Sequence, residues 1–290
     1  MKLLARLFKP IARGACASVL MLGFLPSTVM ADVQLVFGAY TADKPTAVVK
    51  KFQPFLNLLA QELTQEMGEP VKIKMKIARS YDAGIDDLVQ GRVDFSRFGP
   101  ASYITAKNSA PGIGIIAMET TDGQKVFNGV VAVHNDSDIT SIADIRGRSF
   151  AFGDNLSTIG RYLAQDLLLG ENIKASDLSK FDYLGRHDAV GAAVGAGTFD
   201  AGALKSSTFN KLVKKSVPIK ILQTFDNVTK PWLHRASLDP RTVSAMQNVF
   251  IEMASSDVRD AITGTGFVAG TDEDYQLIRR AMERSVSFGG

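Results

Sequence analysis

The sequence predicts an α/β protein built as two domains, and three observations predict it. Short apolar strands alternate with helical stretches along most of the chain. At 290 residues, 46% of them hydrophobic, the chain exceeds what a single small core needs. A hydroxyl-rich turn, Ser157-Thr158-Ile159-Gly160, joins a strand-like run to a helix deep in the second half.

The first residues read as a leader rather than as part of the fold. Lys2, Arg6, Lys9 and Arg13 precede an apolar run from Ala15 to Leu25, and Val29 and Ala31 supply the small residues of a cleavage site. Residues 1–31 are therefore expected to be a signal peptide cut after Ala31. The run is short for a bilayer span. Cys16, the one cysteine of the chain, lies before that run in a poor lipobox context. After cleavage neither a disulfide nor a thiolate is available. The charge account also changes. The whole chain carries 33 Lys and Arg against 30 Asp and Glu; removing the leader's four cations leaves 29 against 30. A net charge near −1 removes the main support for nucleic-acid binding.

In the remainder, Val33–Phe37 is a strand and Gly38–Pro45 a loop. Thr46 to Met67 is a long amphipathic helix stopped by Gly68. Val71, Ile73, Met75 and Ile77 alternate with Lys72, Lys74 and Lys76, which predicts a strand with one wet face. Tyr81–Gln90 is a short helix and Val93–Phe98 a strand. Gly99-Pro100 opens a helix through Tyr103, and Gly112–Met118 is the next strand. Phe127–Val133 begins a second set. Strands at Arg148–Phe152, Phe181–Leu184, Phe199–Leu204 and Pro218–Thr224 alternate with helices after Ser157, Asp188 and Lys205. Pro231-Trp232 is read as loop. The last part is read as helical, without a strand of its own, and returning to the first domain. The expected lobes are 32–127 with 225–290, and 128–224, joined by two crossing strands.

The turn at Phe152–Gly160 carries most of the functional information. Ser157 and Thr158 sit where a helix opens and where free backbone N–H groups point at one place, a geometry that favours an anion. Ser157 equally fits a plain N-cap. Tyr40, Pro100–Tyr103 and His187-Asp188 also follow strand ends where helices begin, and α/β sheets bind ligands beyond such ends. Several helix ends facing one cleft hold an oxyanion with few Lys or Arg. Arg97, Arg161 and Arg186, beside these motifs, are expected to be solvated.

The ordered motifs resemble those of the phosphate/phosphite/phosphonate-binding periplasmic proteins of ABC importers. They are the loop ending Lys44-Pro45, Tyr81 with Gln90-Gly91-Arg92-Val93-Asp94, and Phe98-Gly99-Pro100-Ala101-Ser102-Tyr103. Further along come Ile142–Phe152, Ser157-Thr158-Ile159-Gly160, and His187-Asp188 with Gly197-Thr198-Phe199-Asp200. The resemblance implies a two-lobed type II binding protein with the ligand in the cleft. It implies a small phosphorus oxyanion captured by Ser157, Thr158 and helix N-terminal amides, with Ile159 and Gly160 in the same turn, assisted by Tyr40, Tyr103 and His187. Asp188 is expected to touch the ligand only through a donor that the ligand carries, and otherwise to complement the helix dipole. It also implies no cofactor, a periplasmic location, an inner-membrane permease as partner and a monomer. Two departures matter. Ile159 stands where the family usually has a second Ser. Lys205 stands where binders of aminoalkyl phosphonates place acidic or amide groups, and a cation there favours phosphite, phosphate or a simple alkylphosphonate.

An enzyme needs a nucleophile with a base, paired carboxylates or a metal set. The chain offers three scattered His, no H-E-x-x-H and no G-x-S-x-G around Ser157. A receptor that reports the ligand to a membrane sensor kinase, or a binder of another small anion, fits the same residues.

Overall fold

Strand β1 (Val33–Tyr40) buries Leu35, Phe37 and Ala39 and leads straight to the functional cleft. The structure, a computed structural model, describes residues 32–40 and 45–289. The expected signal peptide and residues 41–44 lie outside the described residues. Helix α1 (Pro45–Met67) carries Phe52, Phe55, Leu56, Leu59 and Leu63 at helical spacing and buries all of them; Gly68, at φ +70°, ends it. Strand β2 (Val71–Ala78) turns its three lysines to solvent, as the alternation requires. Helix α2 (Tyr81–Val89) is capped by Ser80, whose hydroxyl accepts the Ala83 N–H. Strand β3 (Phe95–Arg97), helix α3 (Pro100–Ser109) and strand β4 (Gly114–Thr120) complete the first half.

Strand β5 (Val126–His134) begins the second sheet, and β6 (Ser149–Phe152) runs into the hydroxyl turn. The helix that follows opens with a wide turn over Thr158–Leu163, in which the Tyr162 N–H reaches back five residues to the Ser157 carbonyl, before settling into α4 (Ala164–Gly170). Then come β7 (Lys180–Tyr183), α5 (His187–Gly195), β8 (Ala201–Lys205), α6 (Ser206–Val213) and β9 (Ile219–Val228). The strands lie in the order β7-β6-β8-β5-β9. β6 is parallel to β7 and β8, and β5 is antiparallel to β8 and β9.

The reading of Pro231-Trp232 as loop is corrected. Residues Pro231–His234 form β10, which lies antiparallel between β3 and β4. Proline is tolerated at the first strand position because it withholds a donor only there. Trp232 is fully buried among Phe37, Phe55, Phe95 and Phe250. After α7 (Pro240–Glu252) and α8 (Asp257–Thr263) comes a second strand missed in the sequence, β11 (Gly266–Val268), antiparallel to β4 at the sheet edge. The first sheet is thus β11-β4-β10-β3-β1-β2.

The architecture is therefore two-lobed, with two mixed sheets and their helices. The connections between the sheets run side by side, the Thr229 N–H donating to the Lys125 carbonyl at 3.0 Å. Helices α7 and α8 pack on α1 in the first lobe. Helix α9 (Gln276–Ser285) instead touches α3 of the first lobe and α4 of the second. Beyond it Phe288 packs edge-on against Phe152, their ring centroids 5.6 Å apart.

Candidate functional site: an interlobe anion cleft

A cavity of about 650 Å³ is lined by the strand-to-helix junctions of both lobes. From the first lobe, the Tyr40 hydroxyl accepts the Gly99 N–H at 2.7 Å and donates to Ser102 Oγ at 2.9 Å. Its ring stacks on Tyr81 at 4.0 Å. Burial pushes the phenol up to about 12, so it stays a neutral donor and acceptor. These bonds fix the start of α3, whose Gly99 and Pro100 line the cavity; because Pro100 has no N–H, the first amide of the helix is that of Ala101. The Ala101 N–H of that helix donates to Thr158 Oγ1 at 2.9 Å and so spans the cleft.

From the second lobe, Ser157 is buried, lines the cavity and caps its helix: Oγ accepts the Gly160 N–H at 3.0 Å. The N-cap reading of Ser157 holds, and the same residue is part of the cavity wall. The turn is tight because its strand and helix touch through backbone. A Cβ at Gly160 would stand 2.7 Å from the Gly153 Cα. His187, the first residue of α5, is 9% exposed, and its Nδ1 has no hydrogen-bond partner among the described residues. Burial lowers its pKa to about 3, and the nearby Lys205 and Lys230 charges add to the effect. The imidazole is therefore neutral at pH 7. Asp188 is held by Arg186, the Nε to Oδ1 distance being 2.9 Å; this ion pair keeps its carboxyl below the usual range.

Seven of the nine predicted residues line this cavity: Tyr40, Ser157, Thr158, Ile159, His187, Asp188 and Lys205. Tyr103 and Gly160 do not, and those two expectations are corrected. Tyr103 lies one turn into α3 and faces away from the cleft. It is 1% exposed, donates from its hydroxyl to Asp272 at 2.7 Å and meets Tyr275 edge-on at 4.9 Å. Gly160 spends its N–H on Ser157 and packs against Gly153. Ile159 packs toward Gly129 and Phe225, so it contributes apolar wall where a hydroxyl was expected in the family.

The expectation of few cations is corrected as well. Among the described residues the cavity is lined by seven: Lys50, Lys51, Arg97, Lys205, Lys211, Lys215 and Lys230. Arg97 is not solvated. It binds both oxygens of Glu119, Nη2 to Oε2 at 2.7 Å, and Glu119 also accepts the Trp232 Nε1–H at 3.0 Å. Burial alone pushes the Glu119 carboxyl up, but Arg97 more than offsets this and holds it below its ordinary value. Burial lowers Lys51 to about 7, with Arg97, Lys205 and Lys211 adding repulsion. It lowers Lys230 well below the usual lysine range. Asn227, 1% exposed on β9, also lines the cavity and leaves Oδ1 without a partner among the described residues. Of these, only α6 left a signal in the sequence: Thr208, Lys211, Leu212 and Lys215 recur at one-face helical spacing. The Ser157 hydroxyl is engaged by Gly160 rather than by His187. Among the described residues no cluster of His, Asp and Glu gathers to hold a metal ion.

Comparison with known proteins agrees with this fold. The family model described as ABC transporter, phosphonate, periplasmic substrate-binding protein matches residues 37–275. A probable ABC transporter phosphite binding protein of Prochlorococcus marinus, PhnD1, is 28% identical over 266 residues, covering 84% of this chain and 87% of that protein. The solved structure of PhnD1 with methylphosphonate superposes with a TM-score of 0.76 at 21% identity, covering 87% of this chain and 97% of the other. A binding protein component of an ABC phosphonate transporter from Pseudomonas aeruginosa gives 0.73 at 18% identity, covering 88% of this chain and 87% of the other.

Proposed function

The chain belongs to the periplasmic substrate-binding proteins of phosphonate ABC transporters, and from that premise we propose that it captures a phosphorus oxyanion (phosphite, phosphate or an alkylphosphonate) for an inner-membrane permease. The family is a non-catalytic one that binds a solute and delivers it. One observation carries the finer reading: helix starts from both lobes and seven cationic side chains line a single cavity. The amide end of α3 and the hydroxyls of Ser157 and Thr158 are donors of the kind a tetrahedral oxyanion accepts from. His187, neutral and buried, adds a ring N–H without a charge that must be desolvated. In this reading the Ala101 N–H, shared with Thr158 Oγ1, is the contact a ligand oxygen joins as the lobes close. The protein acts as a monomer and is exported by residues 1–31.

A thermal-shift panel of phosphate, phosphite, methylphosphonate, aminoethylphosphonate, sulfate and an alkylsulfonate tests the reading. A phosphorus oxyanion is expected to raise Tm the most, by linkage. A sulfonate or sulfate giving the largest shift, with no response to any phosphorus compound, removes the assignment. Small-angle scattering then tests closure: the bound protein is expected to have the smaller radius of gyration, and an unchanged radius at saturating ligand excludes it.

A further inference from the structure

We propose that the ligand carries a second anionic group on its substituent, held between Lys51 of α1 and Lys211 of α6; this rests on the reading of the cleft as a phosphorus-oxyanion site. The first argument is size. A cavity of about 650 Å³ lies within the range that encloses drug-sized ligands, roughly 300–1,000 Å³. A phosphite or methylphosphonate ion, with four or five heavy atoms, leaves most of it to solvent.

The second argument is charge. A phosphonate dianion offsets two cations at most. Arg97 is already matched by Glu119, and the lining acid Asp188 is matched by Arg186. Lys51, Lys211, Lys215 and Lys230 line the same cavity and make no ion pair among the described residues. Two of them stand on facing walls: Lys51 on the first lobe's α1, and Lys211 on the second lobe's α6, where Thr208 and Leu212 share its cavity face and Lys215 follows just beyond the helix. Bringing the lobes together sets these like charges against each other in a partly desolvated space, where Coulomb repulsion is stronger than in bulk water. The depressed pKa of Lys51, to which Lys211 contributes, is consistent with that opposition. An anionic terminus between the two ammonium groups converts the repulsion into two attractive contacts, each a charge-assisted hydrogen bond. A ligand amine would add to the repulsion instead. The chemistry recognised is thus a phosphonate or phosphate monoester whose chain ends in a carboxylate or a second phosphate.

Titration calorimetry at pH 7 with methylphosphonate, 2-aminoethylphosphonate and 3-phosphonopropionate tests the inference. The Kd for phosphonopropionate is expected to be at least about tenfold below that for methylphosphonate, with aminoethylphosphonate the weakest of the three. In Lys51→Met/Lys211→Met the ratio of the first two is expected to fall toward one. Lys211→Met alone, on an exposed helical position, is expected to lower the ratio partially and covers the case in which the double variant does not fold. Phosphonopropionate binding no tighter than methylphosphonate overturns the inference and leaves the oxyanion reading standing. A tenfold ratio that survives both variants overturns the assignment to these lysines. Failure of all three ligands overturns the inference, and the same titration with phosphite and phosphate then decides the reading beneath it: failure of those two as well overturns both.

Discussion

On the wall of the cleft built from β1, β3 and α3, polar groups are locked before any ligand arrives: Arg97 by Glu119 and Trp232, and Tyr40 by Gly99 and Ser102. On the opposite wall the donors are the turn at Ser157-Thr158, the start of α5, Lys211 of α6 and Lys215 just beyond that helix; neither lysine has an ion-pair partner among the described residues. Behind the first wall stands a dense aromatic cluster centred on Trp232; behind the second, the small residues Ala151 and Gly202 let Val190 and Val194 of α5 lie close to the sheet. The contrast teaches a division of labour. One wall presents side chains already engaged within their own lobe, and the other brings helix starts and lysines without ion-pair partners among the described residues.

The strongest way to break that contrast is Glu119→Gln. Removing one partner of a buried ion pair costs about 3–5 kcal/mol, because the remaining charge is left uncompensated. Urea unfolding is expected to show a loss of that size; a loss near that of an ordinary surface substitution would mean that Arg97 is not locked. Next is Ser157→Ala on the other wall. Losing a hydrogen bond to a charged ligand is expected to weaken phosphonate binding by about 1.5–3 kcal/mol, read by calorimetry. Losing the cap alone costs about 1 kcal/mol of stability. A variant that loses stability but binds as wild type assigns Ser157 to the cap only.

The pH dependence separates the walls by window, not by sign: both groups are bases whose folded-state pKa is lowered, so each makes stability rise with pH over its own range. His187, lowered from 6.5 to about 3, stays unprotonated when folded, so stability is lost as pH falls from about 6.5 toward 3, where only the unfolded chain takes up the proton. Lys51, lowered from 10.5 to about 7, acts in the same direction on the alkaline flank. Above about 7 the unfolded chain holds a proton that the folded one has released, so stability rises with pH from about 7 to 10.5. Chemical denaturation across pH 4–10 checks both, with His187→Gln expected to flatten the acid side and Lys51→Met the alkaline side. The smallest effect is expected for Tyr103→Phe. It removes one hydrogen bond to Asp272, worth about 1 kcal/mol by unfolding, and leaves phosphonate affinity unchanged; a tenfold loss of affinity would return Tyr103 to the site.

The parts of the fold with strong local patterns were legible in the sequence. The lysine alternation of β2, the apolar stripe of α1 and the strand–turn–helix at Ser157 all read correctly because each is decided within one element. Strands β10 and β11 did not, because four- and three-residue strands owe their existence to neighbours far away in the chain: Trp232 is a strand residue because β3 and β4 leave a gap for it. The same limit shaped the site. Tyr103 shares a motif with the cleft-lining Gly99 and Pro100, but helical rotation turns it toward Asp272. Arg97 reads as a surface residue until Glu119, 22 positions later, is brought beside it. Lys51 and Lys211 lie 160 residues apart, and no local spacing relates them.

Helix α9, with Phe288 beyond it, rests against both halves of the protein. A rod that touches both plates couples them: any change in their relative orientation has to break its contacts with one plate or carry the rod along.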